Sequence, residues 1–289
     1  MNKQIEKVFS RPAQFGMVGD GFRVYNYIPG AFNLRRRMSP FLMLDFNPAY
    51  DFGPSEKLRG VDVHPHKGFE TVTIAYKGSV AHHDSAGNSG VINPGDVQWM
   101  TAGAGILHKE YHEQEYARKG GPFEMVQLWV NLPAKDKNTP AHYQSLTADN
   151  MGKLELPGNA GQVTVIAGDF NGTRGPADTY TPVNLSSLKL NKGGSITTSS
   201  PAAFNTMLLV IEGSITVNGA NAAEHSFVLF KNEGETLEIS ANEDSVILLL
   251  SGEPIDEPIA AYGPFVMNTQ EEIMTAIQEF NAGKYGTLA

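Results

Sequence analysis

Apolar residues in this chain come in short runs or in alternation, broken every few residues by Gly, Pro, Asn or Asp, and helical spacing is scarce. Segments such as 69–76, 127–130, 163–166, 207–211 and 246–250 are each long enough for one strand and too short for a stable helix. Because successive strand side chains leave opposite faces, such a chain can bury its apolar surface only by stacking or closing sheets. The expectation is an all-β protein, sandwich or barrel. One segment differs. Asn268 followed three residues later by Glu271 reads as a helix N-cap with its reciprocal partner. Ile273, Met274, Ile277 and Phe280 then share a face before Gly283, which predicts one amphipathic helix at about residues 269–282 that packs on the β body.

The chain also resembles itself. Segment 70–80 (ETVTIAYKGSV) lies over 205–215 (NTMLLVIEGSI) without a gap, with Gly78 on Gly213. Segment 95–110 (GDVQWMTAGAGILHKE) is set over 234–249 (GETLEISANEDSVILL), with Met100 on Ile239 and Leu107 on Val246. Two β units in tandem are the reading: a first domain over residues 1–146, a polar linker over 147–161, and a second domain over 162–289 that ends in the helix.

His64 and His66 are one residue apart, so on a strand both leave the same face; His108 and Glu110 share that spacing. Two such pairs on neighbouring strands would supply three imidazoles and one carboxylate to a single ion and leave positions open for exogenous ligands. A lone His-x-His more often serves the surface or a hydrogen bond. The repeat favours the metal. In the register above His64 and His66 fall on Ser199 and Pro201, and His108 and Glu110 on Ile247 and Leu249, so all four donors vanish together from the second unit. A working first barrel and a silent second one are expected.

Composition sharpens the chemistry. The 289 residues include no Cys, which excludes disulfides and thiolate ligands. An imidazole and carboxylate site suits Fe(II) first, and also Mn, Co, Ni, Cu or Zn. A net charge of -9, with no basic run longer than Arg35-Arg36-Arg37, argues against direct nucleic-acid binding. The absence of a long apolar stretch argues against a membrane span, and the N-terminal segment lacks a secretory pattern, so a cytoplasmic protein is expected.

The same residues carry a family likeness. HPHKGFETVTIAYKG (64–78) looks like a variant of the cupin His-x-His motif, and NPGDVQWMTAGAGILHKE (93–110) resembles the second motif of the pirin family. PGAFNL (29–34), PFLMLDFN (40–47), QLWVNLP (127–133) and GEPIDEPIAAYGPFVMNTQEEI (252–273) extend the resemblance over most of the chain. It implies a bicupin, two double-stranded β-helix (jelly-roll-like) barrels with one metal in the first, and His64, His66, His108 and Glu110 occupy the ligand positions. It further implies quercetin 2,3-dioxygenase activity, known for some members, or a metal-dependent regulatory role like that of the vertebrate coregulator.

Two functions follow as expectations. The first is a dioxygenase acting on a small aromatic substrate with O₂, in which Glu110 takes the substrate hydroxyl proton. The second is a redox-responsive protein that acts through a protein partner without turnover. A sugar isomerase of cupin type fits less well, since no basic cluster suits a phosphate. Glu70 shares parity with the histidine pair and is assigned a role behind the ligands or in packing; metal content after Glu110→Gln and Glu70→Gln tests this. Lys67 is expected to point outward. Of His82, His83 and Asp84, one histidine at most points inward, and His82 is placed in the pocket. His112, His142 and His225 have no usable partner spacing, and Trp99 and Met100 read as core.

Overall fold

A computed structural model describes residues 1–29 and 36–288. Most of the PGAFNL segment, and Arg35 of the basic run, lie outside the described residues. Backbone proximity divides the chain into two units that trade their terminal segments. One comprises Pro12–Arg36, Pro40–Ala148 and Ile255–Ala289; the other comprises Met1–Arg11, Arg37–Ser39 and Asp149–Pro254.

The unit that carries the histidine pairs has a seven-stranded antiparallel sheet, in the order His142–Leu146, Val97–Thr101, Phe69–Lys77, Gly121–Asn131, Phe41–Phe52, Phe22–Ile28, Gly16–Val18. Its four-stranded companion runs Gly60–His66, Ile106–His112, Val80–Asp84, Ser89–Ile92. The other unit repeats this plan. Its larger sheet runs Ile5–Phe9, Phe227–Phe230, Asn205–Glu212, Ser245–Gly252, Val183–Leu190, Gly161–Ala167, Gly152–Leu156, and its smaller one Ser195–Ser199, Thr236–Ala241, Ile215–Val217, Ala220–Ala222. Two cupin-like barrels in one chain, as expected, are therefore present.

Four expectations change. The final helix, Gln270–Asn281, packs in the unit that holds the histidine pairs: Ile273 and Ala276 are buried against Ala260, Phe265, Met267 and Tyr285, with Leu107 alongside. Its cap is Thr269, whose hydroxyl accepts from Glu272 N at 3.2 Å while Glu272 Oε2 accepts from Thr269 N at 2.9 Å, one residue beyond the Asn268–Glu271 reading. Met274 is exposed, so the apolar stripe is narrower than the spacing suggested. The stretch 147–161 is no plain linker, since Gly152–Leu156 forms the edge strand beside Gly161–Ala167.

Hydrogen-bond register also corrects the second block of the repeat. Asn205–Glu212 does correspond to Phe69–Lys77, but Thr236–Ala241 takes the place of Ile106–His112, one strand earlier than expected. His112 pairs with Val80 and Ala241 with Ile215, which sets Glu110 on Ile239, His108 on Leu237 and His82 on Val217. His64, opposite His108, corresponds to Thr198, opposite Leu237, and His66 to Ser200. Thr73, Gln98 and Gln127 correspond to Leu208, Val228 and Leu249. Leu237, Ile239, Val217, Leu208, Val228 and Leu249 all belong to one buried apolar cluster. In the second barrel the counterparts of His108, Glu110 and the residues around them are hydrocarbon, and the polar residues at the other corresponding positions, Thr198, Ser200 and Ser186, carry only hydroxyls, so no set of imidazole and carboxylate donors forms there.

Candidate metal centre

The strands Gly60–His66 and Ile106–His112 are adjacent and antiparallel, with His108 directly opposite His64. Alternation carries His64 and His66 to the face that His108 also uses, and their ligand atoms lie within 4.8 Å of one another. His64 Nε2 stands 3.0 Å from His66 Nε2. That is the separation of two nitrogens each about 2.1 Å from a shared cation at a right angle, about 3.0 Å. Asp62 O lies 2.8 Å from His64 Nδ1 and accepts its proton, which leaves the Nε2 lone pair facing inward. Burial, then the neighbouring histidines, holds His66 and His108 well below the ordinary imidazole range, so both are neutral ligands in waiting. His66 Nδ1 and His108 Nδ1 are buried without a hydrogen-bond partner among the described residues. Converging lone pairs with orphaned nitrogens fit a divalent cation.

Glu110 is 4 % exposed, and its Oε2 lies 3.9 Å from His108 Nδ1. Two neutral donors hold it: Thr73 Oγ1 to Oε1 at 3.1 Å and Gln127 Nε2 to Oε2 at 2.8 Å. A register shift in the pairing with Gly60–His66 falls between His108 and Glu110. Behind His108 stands Gln98, whose Nε2 lies 3.2 Å from His108 Nε2 and 3.1 Å from His82 Nδ1; His82 Nε2 in turn meets the Tyr143 hydroxyl at 2.8 Å. His82 thus points inward beside the histidine cluster, and burial lowers its pKa. His83 points the other way and stacks on Tyr111.

Glu70 does not face this cluster. Gly68, at φ +84°, turns the chain from the small sheet into the large one, and a Cβ there would stand 2.0 Å from Val266 O, so parity counted from His66 is not preserved. Glu70 lies on the opposite face from Thr73, where Thr101 donates to its Oε1 at 2.7 Å and burial raises its pKa to about 7. Lys67, expected to point outward, is buried: its Nζ donates to Ala104 O at 2.6 Å and pairs with Glu279 at 3.2 Å. His112 is buried among Phe22, Phe52 and Phe123 and donates to Gly21 O, with burial lowering its pKa to about 4. His142 is exposed, and His225 Nδ1 accepts from Arg11 at 3.1 Å. Trp99 and Met100 are fully buried, as expected.

His64, His66 and Glu110 line one cavity of about 330 Å³, whose other walls include Phe22, Val24, Met43, Asp45, Met125, Gln127 and Trp129. Spacing alone missed Thr73, Gln98, Gln127 and Asp45. For Gln98 and Gln127 the signal was a glutamine flanked by apolar residues, as in VQWM and VQLWV; Thr73 and Asp45 had no such mark.

Fold and site define the class: a bicupin in which one barrel gathers three histidines suited to a divalent metal. The family model described as Pirin matches residues 21–130, and that described as Pirin C-terminal cupin domain matches 185–286. A Pseudomonas aeruginosa protein named "Putative quercetin 2,3-dioxygenase" is 46% identical over 93% of each chain, and the Pirin of Mus musculus is 36% identical over 87% of this chain and 84% of its own. The crystal structure of quercetin 2,3-dioxygenase from Acinetobacter baumannii matches with 44% identity and a TM-score of 0.95 over the whole of both chains. The chain belongs to the pirin family. Among the described residues no helix is long and apolar enough to cross a membrane.

Proposed function

We propose that this chain is a metal-dependent dioxygenase that opens the ring of flavonol-like substrates such as quercetin with O₂, its divalent metal held by His64, His66, His108 and Glu110. The observation that carries the reading is the cavity: it is lined by His64, His66 and Glu110 together with mostly apolar residues, and its size takes a fused aromatic molecule. The likeness to a quercetin 2,3-dioxygenase over the full chain supports it.

A bound Fe(II) or similar ion would supply Lewis acidity and a template for the substrate's enol oxygen and O₂. The protein supplies the rest. Met43, Met125 and Trp129 offer apolar surface to the rings, and Phe22 and Val24 help exclude water. Glu110 accepts the enol proton; Thr73 and Gln127 each donate to one of its oxygens and so keep the carboxylate aimed into the cavity. His64 is oriented by Asp62 O, which accepts a hydrogen bond from its Nδ1.

The test uses protein reconstituted with each candidate metal and quercetin in aerated buffer. Bleaching of the flavonol with O₂ uptake and carbon monoxide release is expected, together with loss of both metal and turnover in Glu110→Gln. Fully metallated protein that neither bleaches quercetin nor releases carbon monoxide overturns the substrate assignment.

A further inference from the structure

Directly paired residues of neighbouring antiparallel strands present their side chains on the same face. In the large sheet of the histidine-bearing unit, Gln127 is paired with both Asp45 and Thr73, Thr73 with Gln98, and Asp45 with Asn26. Asn26, Asp45, Gln127, Thr73 and Gln98 therefore run in a polar row across the sheet. Thr73 and Gln127 are committed to Glu110, and Gln98 to His82 and His108. Asp45 is the exception. Its Oδ1 accepts from Asn26 Nδ2 at 2.6 Å, and among the described residues no protein donor engages Oδ2. Asp45 is 8 % exposed and lines the same cavity as His64, His66 and Glu110. The corresponding position of the other barrel is Ser186, paired with Leu249 as Asp45 is with Gln127, so the acid is not required by the fold.

A carboxyl in this setting costs stability. Burial raises its pKa to about 6, and the Asn26 bond offsets only part of that. A hydroxyl donor arriving from the cavity would complete its hydrogen bonding, whereas an apolar ring edge would leave an acceptor desolvated and unpaired. We propose that Asp45 is a substrate-recognition residue, accepting a hydrogen bond from a phenolic hydroxyl of the substrate other than the one at the metal, and so selecting polyhydroxylated aromatics over bare ones. This rests on the flavonol reading of the cavity and adds the feature of the flavonol that is read. Asn26 acts as the positioning residue: by holding Oδ1 it leaves Oδ2 turned to the ligand.

The experiment compares two flavonols that share the metal-chelating 3-hydroxy-4-keto unit, quercetin and 3-hydroxyflavone, the latter lacking every other hydroxyl. Dissociation constants are measured by calorimetry under argon, with metal-loaded and metal-free protein, so that binding is read without turnover. Wild-type protein should favour quercetin by about tenfold to a hundredfold, the range for a hydrogen bond to a charged group. In Asp45→Leu the ratio should fall towards one. Asp45→Asn, nearly identical in shape and able to keep the Asn26 bond through its own carbonyl, should lower the ratio severalfold if the leucine variant does not fold. An unchanged ratio in the variants overturns the proposal even if wild-type protein degrades quercetin. A ratio that collapses in the variants, with no turnover by wild-type protein, supports Asp45 and refutes the dioxygenase. Failure of wild-type protein to bind either flavonol, or to prefer quercetin, also overturns the proposal.

Discussion

Replacing Glu70 by Gln isolates the cost of one buried acid. Glu70 is 1 % exposed, and Thr101 donates to its Oε1. Burial raises its pKa from 4.5 to about 7. The folded chain thus holds a proton over a range in which the unfolded chain has released it. Stability is full below about pH 4.5, declines as pH rises, and levels off above about pH 7. The decline corresponds to about 3 kcal/mol. Gln stays neutral, and its carbonyl can still accept from Thr101, so the variant lacks this slope. Urea unfolding of metal-free protein can be followed by tryptophan fluorescence, since both tryptophans, Trp99 and Trp129, lie in the barrel that contains Glu70. From about pH 5 to about pH 8 the stability of Glu70→Gln relative to wild type should rise by about 2 to 3 kcal/mol. Parallel profiles would show that Glu70 is as well solvated in the folded barrel as in the unfolded chain. The same variant should keep its metal; loss of metal in Glu70→Gln but not in Glu110→Gln would reverse the two assignments.

Two further outcomes test the centre. Gln127→Leu removes the donor that holds Glu110 Oε2 and should weaken metal binding by about 10- to 100-fold in a chelator competition, with the fold intact; an unaltered affinity would show that the amide does not orient the ligand. The double variant Leu237→His, Ile239→Glu places donors in the second barrel at the positions of His108 and Glu110, against Leu208, Val228 and Leu249. With no partner for a buried charge it should lose about 3 kcal/mol or more and bind no additional metal, whereas a stable protein carrying a second ion would refute the filled-core explanation.

Much of the site was legible in order. His-x-His and His-x-Glu place donors on one face of a strand wherever the strand lies, and alternating runs bounded by turn residues imply closed sheets. The match of 95–110 to 234–249 slid by one strand because apolar alternation carries little positional information; only the pairing of Ala241 with Ile215 fixes the counterparts as Leu237 and Ile239. The parity counted for Glu70 failed for a related reason. Parity holds along one strand, and the turn at Gly68 ends that strand before Glu70 begins another.

What the amino-acid sequence determined by itself is local: the strand-forming pattern, the donor types, their two-residue spacing, and their joint absence from the second half. Such properties depend on side-chain chemistry and on the period of the strand, which neighbours do not alter. The tertiary structure decided the rest, because it depends on which strands become neighbours. Non-local pairing set His108 against His64, aligned Asn26, Asp45, Gln127, Thr73 and Gln98 into one polar row, and carried the C-terminal helix onto the barrel that holds the donors. Residues far apart in the chain meet only when a register is chosen, and register is settled by the packing of whole faces rather than by any one segment.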